Sequence, residues 1–318
     1  MGPMRDVLVL TALPASGKSE IRRYLDHLDG GGHRDLGIGR PVHLDDYPYV
    51  HLMRRISEET GDGVFFASPN LPFRDGRDWS TLTALLDEDA AWVLRGSPPP
   101  CGEPGALLDR LDRVRARFGI DAAFAAMDPP QRAALEEALA DEAAGPAADV
   151  AAAAEAWRPG DCTLVVEFAR GGPEAAPMPL DPPLGYRHAL GLLAPPLLAR
   201  ATVLYVWVTP AESRRRNLER AVPGLEGDAS ILHHGVPETV MRSDYGCDDM
   251  AWLLETAQRP GTIDVPAAGG IVTIPAARLD NRDDLTSHLR GDPADWDRDV
   301  TAELHRRLAA ALTGGVPR

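Results

Sequence analysis

Lys18 is the only lysine in a chain of 318 residues; every other member of its 33 Lys and Arg residues is arginine. A solitary ammonium in an arginine-rich chain points to chemistry that a planar guanidinium does not perform, namely point-charge contact with phosphate oxygens. The neighbouring residues agree. The segment Ala12-Leu13-Pro14-Ala15-Ser16-Gly17-Lys18-Ser19 meets the pattern G-x-x-x-x-G-K-[ST] at every fixed place except the first, where Ala12 stands for glycine. In such a turn the backbone N–H groups face a β-phosphate, Lys18 bridges the β- and γ-phosphates, and the Ser19 hydroxyl binds magnesium. The bland alternative is an ordinary strand-to-helix turn. Ala12 and Ala15 both replace the usual glycines, and a Cβ at either place restricts φ to negative values and crowds a phosphate.

Carboxylates and arginines of matching use lie elsewhere. Asp45 and Asp46 close the run His43-Leu44-Asp45-Asp46-Tyr47, where a carboxylate could orient an acceptor hydroxyl and take its proton. Asp45 is the first choice for that base, with Asp46 beside it; a helix N-cap followed by a first-turn acid is the structural alternative. Glu167 ends Leu164-Val165-Val166 and precedes Phe168-Ala169-Arg170. An acid there can hold the water shell of magnesium, so Ser19 and Glu167 are the candidate metal residues, and Arg170 offers a fork of donors to an acceptor or its phosphate. Arg214, Arg215, Arg216 and Arg220 cluster on one short helical stretch, where Arg216 and Arg220 share a face and the others face solvent. The pair His233-His234 matches no metal spacing and is read as a loop.

These residues need elements to hold them. Residues 6–11, 41–45, 162–168, 201–208 and 271–275 read as short buried strands; helical spacing covers 19–28, 49–59, 210–220 and 297–312. Gly30, Gly31 and Gly32 are expected to end the first helix. Between the second and third strands, helices are expected over 79–94, 106–118 and 130–143, while the alanine-rich 147–156 suits a helix or a loose linker. Strands alternating with helices predict an α/β fold whose five-stranded parallel sheet carries helices on both faces and ligands at the carboxyl ends of its strands. The expected organisation is one domain over 1–318, with 61–160 as a helical insertion and 210–250 as an arginine-rich region.

Composition narrows the partners. A net charge of -15 and a pI near 5.0 disfavour nucleic acid and membrane surfaces. Cys101, Cys162 and Cys247 show neither CxxC spacing nor an even disulfide count, as in a reducing compartment. The apolar run 7–10 is much shorter than a signal or membrane segment, so a cytoplasmic protein is expected.

With its flanking strand and helix, the 12–19 turn resembles that of the P-loop kinases, many of which carry a Gly-Leu-Pro-x-Ser-Gly-Lys-Ser-like loop. The stretch 43–47 looks like the Asp-Asp-Phe/Tyr segment of uridine-kinase-like enzymes, and 167–172 is similar to the acid-plus-arginine motif of deoxynucleoside kinases. The resemblance implies a three-layer sandwich of the P-loop NTPase type, with ATP and Mg²⁺ as cofactors. It implies that residues 61–160 bind the acceptor and that 210–250 form a lid, with Arg216 on the transferring group and Arg220 on the nucleotide. It also places Arg278, in Arg278-Leu279-Asp280-Asn281, against adenine. The partner is then a small-molecule acceptor: a nucleoside, nucleotide, sugar or natural product. The oligomeric state is open and compatible with a homodimer. Two other readings stay in play, a nucleotide-hydrolysing switch acting on a partner protein and a polynucleotide end kinase. A single lysine forbids an Asn-Lys-x-Asp guanine motif, and the acidic charge disfavours a polynucleotide.

Overall fold

Apolar runs with no polar alternation can be buried only between two layers, and the central strands are used in this way. A computed structural model of the chain describes residues 4–61, 63–99, 102–220 and 235–314. In β1 (Val7–Thr11) every residue is buried; Val7 and Val9 enter one apolar core, while Leu8 and Leu10 enter another on the opposite face. After α1 (Lys18–His27), the glycines expected to break the helix instead form the first turn of α2 (Gly30–Asp35). Asp29 makes this possible by accepting the Gly32 N–H at 2.8 Å, a side-chain cap that offsets the poor helix propensity of glycine. β2 (Arg40–Asp45) then leads into α3 (Tyr47–Thr60), with Pro48 in its first turn.

Four helices follow: α4 (Asp78–Arg95), α5 (Pro104–Ala116), α6 (Pro129–Ala138) and α7 (Ala144–Ala156). The alanine-rich stretch is therefore a helix, and α7 packs on β2 and α4. α4 is buried around most of its circumference: Leu82 and Leu85 join a core shared with α3 and α5, and Leu86, Ala90 and Val93 join the core beneath the sheet. Next come β3 (Cys162–Phe168), α8 (Gly185–Leu192), α9 (Pro195–Leu198), β4 (Ala201–Trp207), α10 (Pro210–Arg220), α11 (Glu238–Ser243) and α12 (Met250–Thr256).

The sheet has six strands and is mixed, which corrects the expected five-stranded parallel one. Its order is β2-β3-β1-β4-β6-β5, where β5 (Thr262–Ala267) runs antiparallel to β6 (Gly270–Asp280) and every other pair is parallel. Ala267 pairs with Gly270 across a two-residue turn, and Gly269 and Gly270 take the positive φ values of 99° and 134° that a tight hairpin demands. No strand was expected over 262–267; β5 carries Pro266, whose missing N–H an edge strand tolerates. α13 (Arg298–Gly314) closes the fold, adding Leu304, Leu308 and Leu312 to the core that α1 shares on the face of Leu8 and Leu10. Among the described residues no helix is long and apolar enough to cross a membrane.

Candidate functional site

β1 lies between β3 and β4, so the chain leaves it on one side and returns on the other. A crevice opens outside the carboxyl ends of the strands at such a reversal, and the turn 12–17 occupies it. Gly17 stands at the N-cap of α1 with φ 102°, and no side chain caps the helix there, so its leading N–H groups point into the crevice with the positive end of the helix dipole. A Cβ at Gly17 would overlap Thr286 Oγ1 and Asn281 Nδ2, which is a steric reason for glycine besides its φ. Ala15 takes φ 56°, in the left-handed region, contrary to the negative φ expected of alanine there.

Three side chains fasten the turn from behind. The Tyr186 hydroxyl accepts the Ala12 N–H at 2.8 Å and lies 2.9 Å from the Ala12 carbonyl and 3.2 Å from that of Phe168. Asn281 Nδ2 donates to the Ser16 carbonyl at 2.8 Å, and Ser213 Oγ donates to the Pro14 carbonyl at 2.7 Å.

Strand register brings the acids to it. Glu167 pairs with Leu10 on one side and Asp45 on the other, so both carboxylates stand beside the turn at the sheet edge. Lys18 Nζ is 3.2 Å from Glu167 Oε1, Ser19 Oγ donates to the same oxygen at 3.1 Å, and Arg22 reaches Glu167 at 3.6 Å and Asp45 at 3.3 Å. Burial works against ionised Glu167, but Lys18 and Arg22 outweigh it and hold the carboxyl below the usual range. Asp45 goes the other way: burial, then the charge of Glu167, push it up to about 7. Two adjacent acids thereby divide into one held as an anion and one able to exchange a proton near neutrality.

The crevice widens into a cavity of about 450 Å³. Leu13, Pro14, Ala15, Gly17, Lys18 and Ser19 of the expected phosphate turn line it, with Asp45, Asp46, Glu167 and Arg220. Five expected residues do not. Ala12 and Ser16 are buried behind the turn. Arg170 stands behind Asp46, bonded to it at 2.6 Å and to Thr83 Oγ1 at 3.0 Å, so its guanidinium is spent on positioning Asp46. Arg216 is turned away, bound to Glu212 at 2.6 Å and to the Asn281 carbonyl at 2.8 Å, because its place on α10 faces the 281–284 segment. Arg278 lies with its guanidinium 5.0 Å from the ring centre of Trp207, away from the cavity. Arg215 pairs with Glu212 and Glu219 on the exposed side of α10, while the half-buried Arg214 pairs with Glu174 at 3.0 Å, away from the cavity. His233 and His234 lie outside the described residues.

Arg22, Tyr186 and Asn281 were not read from the sequence. Arg22 follows Lys18 by one helical turn, an i,i+4 spacing that marks a shared face and could have found it. No local pattern ties Ala12 to Tyr186 or Ser16 to Asn281. Among the described residues no group of three or more His, Cys, Asp or Glu could hold a metal by itself. Glu167 Oε2 is nevertheless buried without a hydrogen bond, with only the Arg22 guanidinium at 3.6 Å, and Ser19 bonds the other oxygen of the same carboxylate, which fits an ion that takes most of its ligands from phosphate and water. In comparisons with known proteins, no family model matches the chain, and neither a curated protein nor a solved structure matches it.

Proposed function

We propose that this chain is a kinase of the P-loop NTPase type, which transfers the γ-phosphoryl group of ATP, taken up with Mg²⁺, to a small hydroxyl-bearing acceptor. The observation that carries this reading is the meeting of Lys18, Ser19, Glu167 and Asp45 at one uncapped helix N-terminus, at the sheet's point of reversal. The N–H groups of the turn and Lys18 would hold the β- and γ-phosphates, and Arg220, on the cavity wall, would face the same charge. Ser19 and Glu167 would hold magnesium, which neutralises phosphate charge when bound. Asp45 would accept the proton of the acceptor hydroxyl while its oxygen bonds to the γ-phosphorus and the bond to the leaving ADP oxygen breaks. Residues 61–160 would shape the acceptor end.

Calorimetry with ATP and Mg²⁺ tests the reading first. Wild type should bind, and Lys18→Ala should lose about 10²- to 10³-fold in transfer, the loss expected for one electrostatic contact in the transition state. No uptake of ATP by the wild type would end the proposal. ADP release that no hydroxyl compound stimulates would favour a nucleotide-driven switch instead.

A further inference from the structure

Away from the phosphate turn, the cavity wall is made of rings. Phe66 stacks on Phe73 with centroids 4.3 Å apart; Phe73 meets Trp79 edge-on at 4.9 Å, and Trp79 meets Tyr245 edge-on at 5.6 Å. All four line the cavity and are buried, so the row is a fixed surface. Its two ends are polar. The Arg54 guanidinium lies 4.3 Å over the Phe66 ring and donates to the Pro69 carbonyl. At the other end Asp244 accepts from Ser243 at 2.8 Å and from the Trp79 indole.

This wall is poorly made for a second phosphate. A phosphate ester needs several converging donors, and among the described residues two of the arginines near this end are paired with carboxylates. Arg170 is bound to Asp46 behind the wall, and Arg55 is paired with Glu59 at 2.7 Å and Glu142 at 3.0 Å. Arg54 shares the wall with the carboxylates of Glu58 and Asp244, which would repel an anion. Flat apolar rings with a polar group at each end suit a flat ring that has polar edges.

We infer that the acceptor is an alcohol that carries an aromatic ring and no phosphate of its own, its ring against Trp79 and Phe73 and its hydroxyl toward Asp45. This rests on the kinase reading and narrows it, since nucleotides and simple sugars are excluded from its four acceptor classes.

The test measures ADP release by the wild-type chain with cytidine, pyridoxine and 2-phenylethanol, each beside its own phosphate monoester, and with ribose as an alcohol without an aromatic ring. At least one ring alcohol should show kcat/KM about tenfold or more above its monoester and above ribose. Trp79→Ala should lower that value about tenfold while ATP·Mg²⁺ binding stays within about twofold. Val50→Trp, a half-buried wall position off the phosphate turn, should block the alcohol in the same way if truncation at Trp79 unfolds the wall. A monoester or ribose that equals the best ring alcohol overturns the inference. So does the absence of stimulation by every ring alcohol in a chain that binds ATP·Mg²⁺, and stimulation by ribose or a monoester in the same assay keeps the kinase reading apart from this failure. Loss of ATP·Mg²⁺ binding itself in Trp79→Ala with an intact fold would assign the rings to the donor base and overturn it too.

Discussion

Asp45 and Asp46 are neighbours in sequence with separate fates, and their partners explain why. Asp46 is bound by Arg170 at 2.6 Å, whereas Asp45 has Arg22 at 3.3 Å and the like charge of Glu167 beside it. On the kinase reading Asp45 works deprotonated, and with its carboxyl pushed up to about 7 in the free chain, kcat/KM should rise about tenfold per pH unit below that value and level off above it. Asp45→Asn should cut kcat about 10²- to 10⁴-fold, leave the KM for ATP unchanged and remove this slope, all readable from steady-state profiles. An unchanged rate would move the role to Asp46. The same group sets a stability dependence. An unfolded aspartate titrates near ~4, so between there and about 7 the folded chain holds a proton that the unfolded chain has released, and stability falls as pH rises through that window. The melting temperature of Asp45→Asn should therefore gain on wild type between about pH 5 and about pH 8. Arg216 makes the opposite case: Arg216→Ala should lower stability by about 1–3 kcal/mol in urea titration, through the Glu212 and Asn281 bonds it breaks, and barely change kcat.

The strand–turn–helix element was legible because its signals are local. An apolar run, a Gly-Lys-Ser turn and a helical spacing follow one another from residue 7 to residue 27, and β1 and α1 form where that order requires. What stiffens the turn comes from far away in the chain, at Tyr186, Ser213 and Asn281, and no spacing announces it. The hairpin of β5 and β6 was half missed: the strand expected over 271–275 lies inside β6, while its partner β5 carries Pro266, which a sheet tolerates at an edge. Arg216 misled because residues four apart share a face, while the helix axis alone decides what that face meets. Tyr186→Phe isolates the contribution of the distant fastening. It removes the acceptor of the Ala12 N–H inside the fold, which should cost about 1–3 kcal/mol in stability. A loosened turn should also bind ATP·Mg²⁺ about tenfold more weakly by calorimetry, since orientation of its N–H groups is lost. Unchanged affinity with reduced stability would mean that Tyr186 holds strands together and not the turn.

Whether the chain is one folding unit depends on α4. The sequence suggested a helical insertion over 61–160, because its Pro and Gly breaks interrupt any strand-helix alternation and a helix buried on most sides shows no single apolar stripe. In the folded chain, α4 and α7 cover the sheet on the face of Val7 and Val9, while α5 and α6 pack outward around Phe65, Leu108 and Phe124. The two cores therefore meet in one helix, with Leu85 on one side and Leu86 on the other. Chains of this length often unfold through intermediates, so a single transition would be informative and is not assured by size. Leu85→Ala and Leu86→Ala should each cost about 2–5 kcal/mol, the range for deleting a buried leucine side chain. If α4 couples the cores, both variants should move the same urea transition by similar amounts, and tryptophan fluorescence and far-ultraviolet circular dichroism should report one midpoint. Should Leu85→Ala unfold the aromatic wall early while the sheet persists, the ring-lined end of the cavity would be an independent unit, and the alignment of acceptor and phosphate would depend on its docking against Asp45.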